Sequence, residues 1–243
     1  MTCLRSFANY AVVFLPLLHG CVSRPPTVAH VHIGHAITGV HVTPNKEGYM
    51  VTARRRADEA LDFANKAQSG NDLGLIKQNI ALSNQATNDK DQFGVREALM
   101  MAVNHISFAA TSDDASVNVQ VSAPIFAADS ARVVERCDLI GLLSKDVAVS
   151  NSLHEAQVNA AEISRLTRAN VFGEDSNGSG KIGSNPSEYG LVQLRTELDA
   201  MIARERPRYV TVDQWYLFNL VRLPNGKWVF DKFGRGGNVE GYK

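Results

Sequence analysis

The sequence has few cysteines, no excess of either charge and no long uninterrupted apolar run. Each of these absences narrows the class of protein. Twenty-five basic residues balance 25 acidic ones, which argues against a nucleic-acid-binding protein because such proteins present basic faces. The apolar stretch at 11–18 is interrupted by Pro16 and is too short to span a bilayer of about 30 Å. The 243 residues can bury a substantial core as one domain or two small ones.

Residues 1–20 have the composition of an export signal. One basic residue, Arg5, precedes the apolar stretch, and a small residue precedes Cys21. The run 18–21, Leu-His-Gly-Cys, resembles the lipobox of bacterial lipoproteins. The resemblance implies that the leader is removed and Cys21 is diacylated, which anchors the protein to a membrane of the bacterial envelope. Val22 implies the outer membrane, facing the periplasm. The alternative is an ordinary cleaved signal with a chance cysteine.

Only three cysteines are present, at positions 3, 21 and 137. If the lipobox is used, Cys3 leaves with the leader and Cys21 carries lipid. Cys137 is then alone, so the chain has no intrachain disulfide. Its position on the apolar face of a predicted helix favours a small hydrophobic residue over a metal ligand.

Hydrophobic periodicity divides the rest of the chain into an irregular segment followed by a long helical region. Residues 21–47 contain a proline pair and no sustained period, so we interpret them as a lipid-anchored, histidine-containing tether with a short ordered segment. Helical spacing of apolar residues predicts a domain at 48–206. The predicted helices cover 57–67, 73–85, 99–110, 127–149, 153–169 and 188–204.

Alternating residues near the carboxyl end predict a β-hairpin over 207–233, followed by a Gly-rich tail at 234–243. The predicted fold class is mainly α: a bundle of about six helices with a C-terminal β-hairpin and an N-terminal His-containing tether. We interpret the hairpin aromatics as cover for the core, although an exposed aromatic patch would suggest a docking face. These aromatics are Trp215, Tyr216, Phe218, Trp228 and Phe230.

Four histidines fall within twelve residues: His30, His32, His35 and His41. Histidine is the commonest metal ligand, because neutral imidazole offers a lone pair at physiological pH. His30 and His32 share a side if the run is extended, whereas His32 and His35 share a face if it is helical. Either arrangement needs a further donor, and the available ones are His105 on a predicted helix, His41 and the thiol of Cys137.

Several imidazoles without a neighbouring carboxylate favour copper, zinc or nickel over calcium or magnesium. Haem is another candidate, since imidazole is an axial ligand, but the chain has no Cys-x-x-Cys-His for covalent attachment. The alternative is a solvated His-rich tether that binds nothing specific.

A second motif, Asp-Ser-Asn-Gly-Ser-Gly-Lys-Ile, occupies residues 175–182. It resembles the calcium loop of an EF-hand, with oxygen-bearing side chains at alternate places, a glycine at the sixth and an aliphatic residue at the eighth. The resemblance implies a structural calcium ion bound by four groups: Asp175, Asn177, Ser179 and the carbonyl of Lys181.

The motif departs from the EF-hand at its end. Pro186 occupies the twelfth place, where the bidentate glutamate belongs, and Glu188 comes two residues late. Glu188 could bind only if the chain before it bulges out, so any calcium binding should be weak. The alternative is a turn between helices, for which these residues are equally suitable.

These features favour an envelope lipoprotein that binds a transition metal or haem through its N-terminal histidines and serves metal handling or redox support. The alternative is a non-catalytic structural or interaction lipoprotein that docks an envelope protein through its helical bundle and aromatic hairpin. An enzyme ranks last, because no Gly-x-Ser-x-Gly, phosphate loop or carboxylate pair stands out. The His30–His35 spacing is that of metallo-β-lactamase-like hydrolases, but Gly34 replaces the required aspartate.

Overall fold

The computed structural model describes residues 27–206, Tyr209 and two short segments at 220–222 and 228–230. Within residues 27–206 the chain forms seven α-helices and a 3-10 turn at Pro186–Glu188. The helices are α1 Val28–Ile37, α2 Tyr49–Gln68, α3 Leu73–Asn88, α4 Val95–Thr111, α5 Val117–Val149, α6 Leu153–Phe172 and α7 Leu191–Arg204. Two three-residue strands, β1 Leu220–Arg222 and β2 Trp228–Phe230, pair antiparallel with Val221 opposite Val229.

Four helices begin at a side-chain cap of the kind that satisfies otherwise unpaired backbone donors. Asp72 accepts a hydrogen bond from the Leu75 backbone, Ser116 from Val119 and Ser152 from Glu155. Thr27 caps α1 in the same way, through His30. Short polar residues in the sequence therefore fix where these helices start.

The core is built around α2, which packs against α3, α4 and α6. Its inward face is a row of fully buried alanines, and the small side chains let neighbouring helices approach closely. One apolar cluster joins α1, α4 and α7 to the first halves of α2 and α5. A second joins α3 and α6 to the second halves of α2 and α5.

The predicted fold class is wrong in two respects. Residues 27–206 contain seven helices and no strand, so the C-terminal β-hairpin is not supported as part of the fold. β1 and β2 hold only three residues each, whereas the predicted hairpin extends over 207–233. The alternating pattern of residues near the carboxyl end was therefore not enough to predict a β-hairpin, because alternation alone does not show that one face of a strand is buried.

The second error concerns the N-terminal segment, which is not a tether over its described part. Residues 28–37 form α1, whose inward face includes the buried residues Ala29, Ile33 and Ala36, and Val40 is buried just beyond the end of the helix. Asp114 stabilises the start of this helix, where its two carboxylate oxygens accept from the Val28 and Ala29 backbone N–H groups.

The fifth helix also starts earlier than predicted. It runs for 33 residues from Val117 and contains Pro124, whereas the sequence indicated a start near 127. Pro124 lies inside the helix beyond its first turn, where a proline removes one backbone hydrogen bond and is normally disfavoured. Among the described residues, no helix combines the length and hydrophobicity required to cross a bilayer.

Candidate metal centre

Helix α1 brings two of the clustered histidines against α4. His32 and His35 are three residues apart and therefore share one helical face. That face meets His105 on α4, and ligand nitrogens of the three side chains all lie within 4.8 Å of one another. Three histidines thus lie close enough to bind a metal ion, and we refer to His32, His35 and His105 as the His centre.

The closest approach in the His centre is between His32 Nδ1 and His105 Nδ1, which are 3.1 Å apart. Nitrogens bound tetrahedrally to zinc at roughly 2.0–2.1 Å are about 3.3 Å apart. The separation of this pair is therefore close to that of two nitrogens bound to one ion. The same contact can be an N–H···N hydrogen bond in the metal-free protein, with one ring donating to the other.

Aromatic side chains hold the rings in place. Tyr49, at the start of α2, stacks on His105 with ring centroids 5.2 Å apart and an interplanar angle of 24°. Phe108, one turn along α4, lies 5.6 Å from His32 and 5.8 Å from His105. Such packing limits the orientations that each imidazole can adopt, which prepares the site for a ligand.

A glycine sets the position of Tyr49. Gly48 precedes it, and its backbone N–H donates to the Thr38 carbonyl at the end of α1. A Cβ atom at this position would come within 2.5 Å of the Ile37 carbonyl carbon. Only glycine allows α1 and α2 to meet this closely, so Gly48 brings the tyrosine ring to His105.

Burial of the His centre keeps His105 neutral. His35 and His105 are buried, at 2% and 1% exposure. Burial, and then the neighbouring His35 and His32 rings, lower the pKa of His105 to about 3. The ring is therefore uncharged at neutral pH, as metal coordination requires.

The other predicted histidine ligands lie elsewhere. His30 is two residues from His32 and faces away, with Nε2 3.9 Å from Glu205 Oε1 and its ring 5.3 Å from Tyr209. Burial lowers the pKa of His30, although Glu205 opposes this effect. His41 follows α1 in a turn and does not join the His centre.

Cys137 is fully buried on α5, where Asn170 Nδ2 donates to its sulfur at 3.4 Å. Burial raises the pKa of the thiol to about 12. The thiol is therefore protonated at neutral pH, and it is a poor metal ligand because metals bind the thiolate.

The calcium-like motif forms an exposed loop between α6 and α7. The Asp175 carboxylate accepts from the backbone N–H groups of Ser179 and Gly180, at 3.0 and 2.7 Å, and Asn177 also accepts from Ser179. The Gly180 N–H, as the largest cause, lowers the pKa of Asp175. Ile182, expected to pack beneath the loop, is 48% exposed.

Glu188 faces a different part of the same loop. It is fully buried, and Oε2 accepts from the Gly183 and Ser184 backbones and from the Ser184 hydroxyl. Oε1 accepts from the Asn185 amide. Both oxygens are thus bound to donors in residues 183–185, so Glu188 acts as a clasp for the loop. The sequence alone did not indicate this role.

Arg136 ties the loop to the bundle. Its side chain is fully buried on α5 and donates to the carbonyls of Tyr189 and Ser187 at 2.6 and 3.3 Å. It also forms an ion pair with Glu174 at 3.1 Å. Residues 174–189 are therefore held by a long-range contact that no local motif encodes.

Comparison with models of protein families, with curated proteins and with solved structures gives no match to this chain. The geometry of the His centre is therefore the basis for the functional assignment.

Proposed function

We propose that the protein binds one transition-metal ion through His32, His35 and His105. The observation that carries this proposal is the convergence of three imidazoles from two helices, with ligand nitrogens within 4.8 Å of one another. Imidazole suits zinc, copper and nickel, whereas calcium and magnesium prefer oxygen ligands. Copper(II) should bind most tightly of the three ions, in accordance with the Irving–Williams order.

Close packing of the rings favours a bare ion over haem. The His35 and His105 ring centroids are 4.9 Å apart, and Phe108 and Tyr49 occupy the adjoining space. A porphyrin needs a wide flat cleft beside its axial imidazole, whereas a single ion needs only the space between the three nitrogens.

We further propose that the protein works in the bacterial envelope as a lipoprotein, in metal handling or redox support. The lipobox-like sequence ending at Cys21 supports this location. Thr27, which caps α1, is six residues further on. Six residues reach at most about 20 Å, so lipid on Cys21 would hold the His centre close to the membrane. Mass spectrometry of the mature chain should find a diacylglyceryl cysteine as its first residue, and Cys21→Ser should remove it.

Metal binding is tested by equilibrium dialysis and elemental analysis of the purified chain with zinc and copper. We expect one ion per chain, and we expect His105→Ala and His32→Ala to weaken binding by more than the roughly 10- to 100-fold typical of lost outer-shell partners. The matched control is His154→Ala, which removes an exposed histidine on α6. Equal affinity in all four proteins, with circular dichroism showing them folded, would refute the proposal.

A further inference from the structure

We infer that a groove between α2 and α7 binds a small organic carboxylate with an apolar body. The groove is lined by residues of both helices and lies apart from the His centre, whose three histidines are not among its lining residues. Ligand binding there is therefore independent of the proposed metal. A cavity, an apolar lining and three arginines with bonding capacity to spare support this second site.

The groove has the size of a small-molecule site. Its volume is about 570 Å³, within the roughly 300–1,000 Å³ that is usual for such sites. Part of its lining is apolar and comes from the first halves of α2 and α7: Met50, Val51, Leu191 and Val192. Met50 and Leu191 are buried, whereas Val192 is 36% exposed. An apolar ligand body would remove this surface from water, which stabilises the complex.

Three arginines line the same groove, and each is oriented by an acid. The pairs are Arg54–Asp58, Arg55–Glu47 and Arg195–Asp199. In the described part of the chain, all of these bonds are donated by Nε. A guanidinium has a further edge, formed by Nη1 and Nη2, that matches the two oxygens of a carboxylate. The acids therefore position the arginines while leaving that edge for a ligand.

Arg55 has an unsatisfied donor. Its Nη2 is buried and has no hydrogen-bond partner among the residues that the structure describes. Buried polar groups are almost always hydrogen-bonded, and a charged group without a partner is especially costly. A carboxylate in the groove would provide the acceptor.

The charge of the lining favours a monoanion. Three arginines and two acids, Glu47 and Asp58, line the groove, so the lining carries a single net positive charge. One carboxylate balances that charge, whereas a phosphate monoester, with about −1.5 to −2 charges at pH 7, would exceed it.

Octanoate provides the test, because it joins a carboxylate to a short alkyl chain. The full chain is dialysed free of metal, and octanoate, 1-octanol and acetate are titrated into it by isothermal calorimetry. We expect one octanoate per chain. 1-Octanol lacks the charge and acetate lacks the apolar body, so each should bind at least about tenfold more weakly.

Arg55→Gln should weaken octanoate binding by about tenfold or more, because it removes the charged donor. Arg96→Gln is the matched control. Arg96 lies on α4, is 36% exposed against 37% for Arg55, and is likewise bonded through Nε to one carboxylate oxygen, that of Asp138. It should leave octanoate affinity unchanged.

A second pair of variants tests the charge of the groove without altering an arginine. Val192→Glu should weaken octanoate binding, whereas Val192→Lys should preserve or strengthen it. Circular dichroism verifies that each variant is folded, and this pair decides the outcome if Arg55→Gln is not. Absence of octanoate binding, equal affinity for octanoate and 1-octanol or acetate, unchanged affinity in folded Arg55→Gln, or equal affinities in the two Val192 variants would each overturn the inference.

Discussion

The His centre and the loop at 175–188 both have a metal-binding pattern in the sequence, but they differ in where their donors point. In the His centre, side chains from α1 and α4 turn towards one another across a helix interface. In the loop, Asp175 and Glu188 each bind donors from their own neighbourhood, Asp175 at 179–180 and Glu188 at 183–185. A ligand pattern becomes a candidate site only when the fold makes its donors converge.

The two regions also differ in what a mutation would remove. The His centre is held by packing of apolar and aromatic groups, so its substitution should affect ligand binding. The loop is held by buried charges, so its substitution should affect stability.

Arg136→Met should lower the free energy of unfolding by about 3 kcal/mol, because it leaves three backbone carbonyls without their buried donor and each unsatisfied buried acceptor costs about 1–3 kcal/mol. Arg132→Met is the matched control on the same helix, with a side chain that is 42% exposed and pairs with Glu135 and Glu174. It should cost less than about 1 kcal/mol. Urea denaturation measures both, and equal losses would contradict an anchoring role for Arg136.

Zinc at one hundred times its Kd should stabilise the unmodified chain by about 2.7 kcal/mol, since binding to the folded state alone shifts the unfolding equilibrium. Thermal unfolding should show this gain in Asp175→Ala as well, and should show none in His105→Ala. A zinc-dependent gain in His105→Ala but not in Asp175→Ala would instead place the metal in the loop at 175–188.

Glu188→Gln should cost about 1–3 kcal/mol, because a buried amide cannot accept at both ends as the carboxylate does. Glu155→Gln is the control, since Glu155 is exposed and accepts from the Ser150 hydroxyl. Equilibrium denaturation should separate the two variants. A neutral Glu188→Gln would mean that the clasp contributes little to stability.

Millimolar calcium should raise stability by less than about 0.4 kcal/mol, which is the gain when the ligand concentration only equals Kd. The loop has few carboxylates, and those of Asp175 and Glu188 already accept hydrogen bonds from the loop. Calorimetric scans with calcium and with EGTA measure this difference. A large calcium-dependent rise that Asp175→Ala abolishes would instead support the EF-hand interpretation.

The smallest effect concerns pH. Because the Gly180 N–H is the main cause that lowers the pKa of Asp175 from 3.8, ionised Asp175 favours the folded state. This contribution is complete above pH 3.8 and disappears as the pH falls through the lower folded value. Asp175→Asn should therefore lose less stability on acidification than the unmodified chain does. If acidification lowers the free energy of unfolding equally in the two proteins, the hydrogen bonds at Asp175 do not contribute to stability.

Sequence periodicity located the helices from α2 to α7 because their apolar positions recur at helical spacing. It missed α1, where histidines and β-branched residues obscure the row Ala29, Ile33, Ala36 and Val40. The helical spacing of these four residues, together with Thr27 as an N-cap, could have predicted α1. Had it been recognised, the choice between His30 and His35 as partners of His32 would have followed from helix geometry.

Other features of the site could not be predicted from local sequence. His105 is 73 residues from His32, and Tyr49 reaches it only because Gly48 allows close contact of two helices. The fixed position of the loop depends on Arg136, which is 51 residues from Ser187. Such contacts result from the packing of the whole bundle, and no spacing rule within one segment encodes them.

The most direct test of the central claim is anomalous X-ray diffraction from crystals of the zinc-loaded full chain, recorded on both sides of the zinc absorption edge. We expect one strong peak within about 2.0–2.1 Å of a nitrogen of each of His32, His35 and His105. A peak at His30, at His41 or in the loop at 175–188, or no peak in crystals that contain stoichiometric zinc, would contradict it.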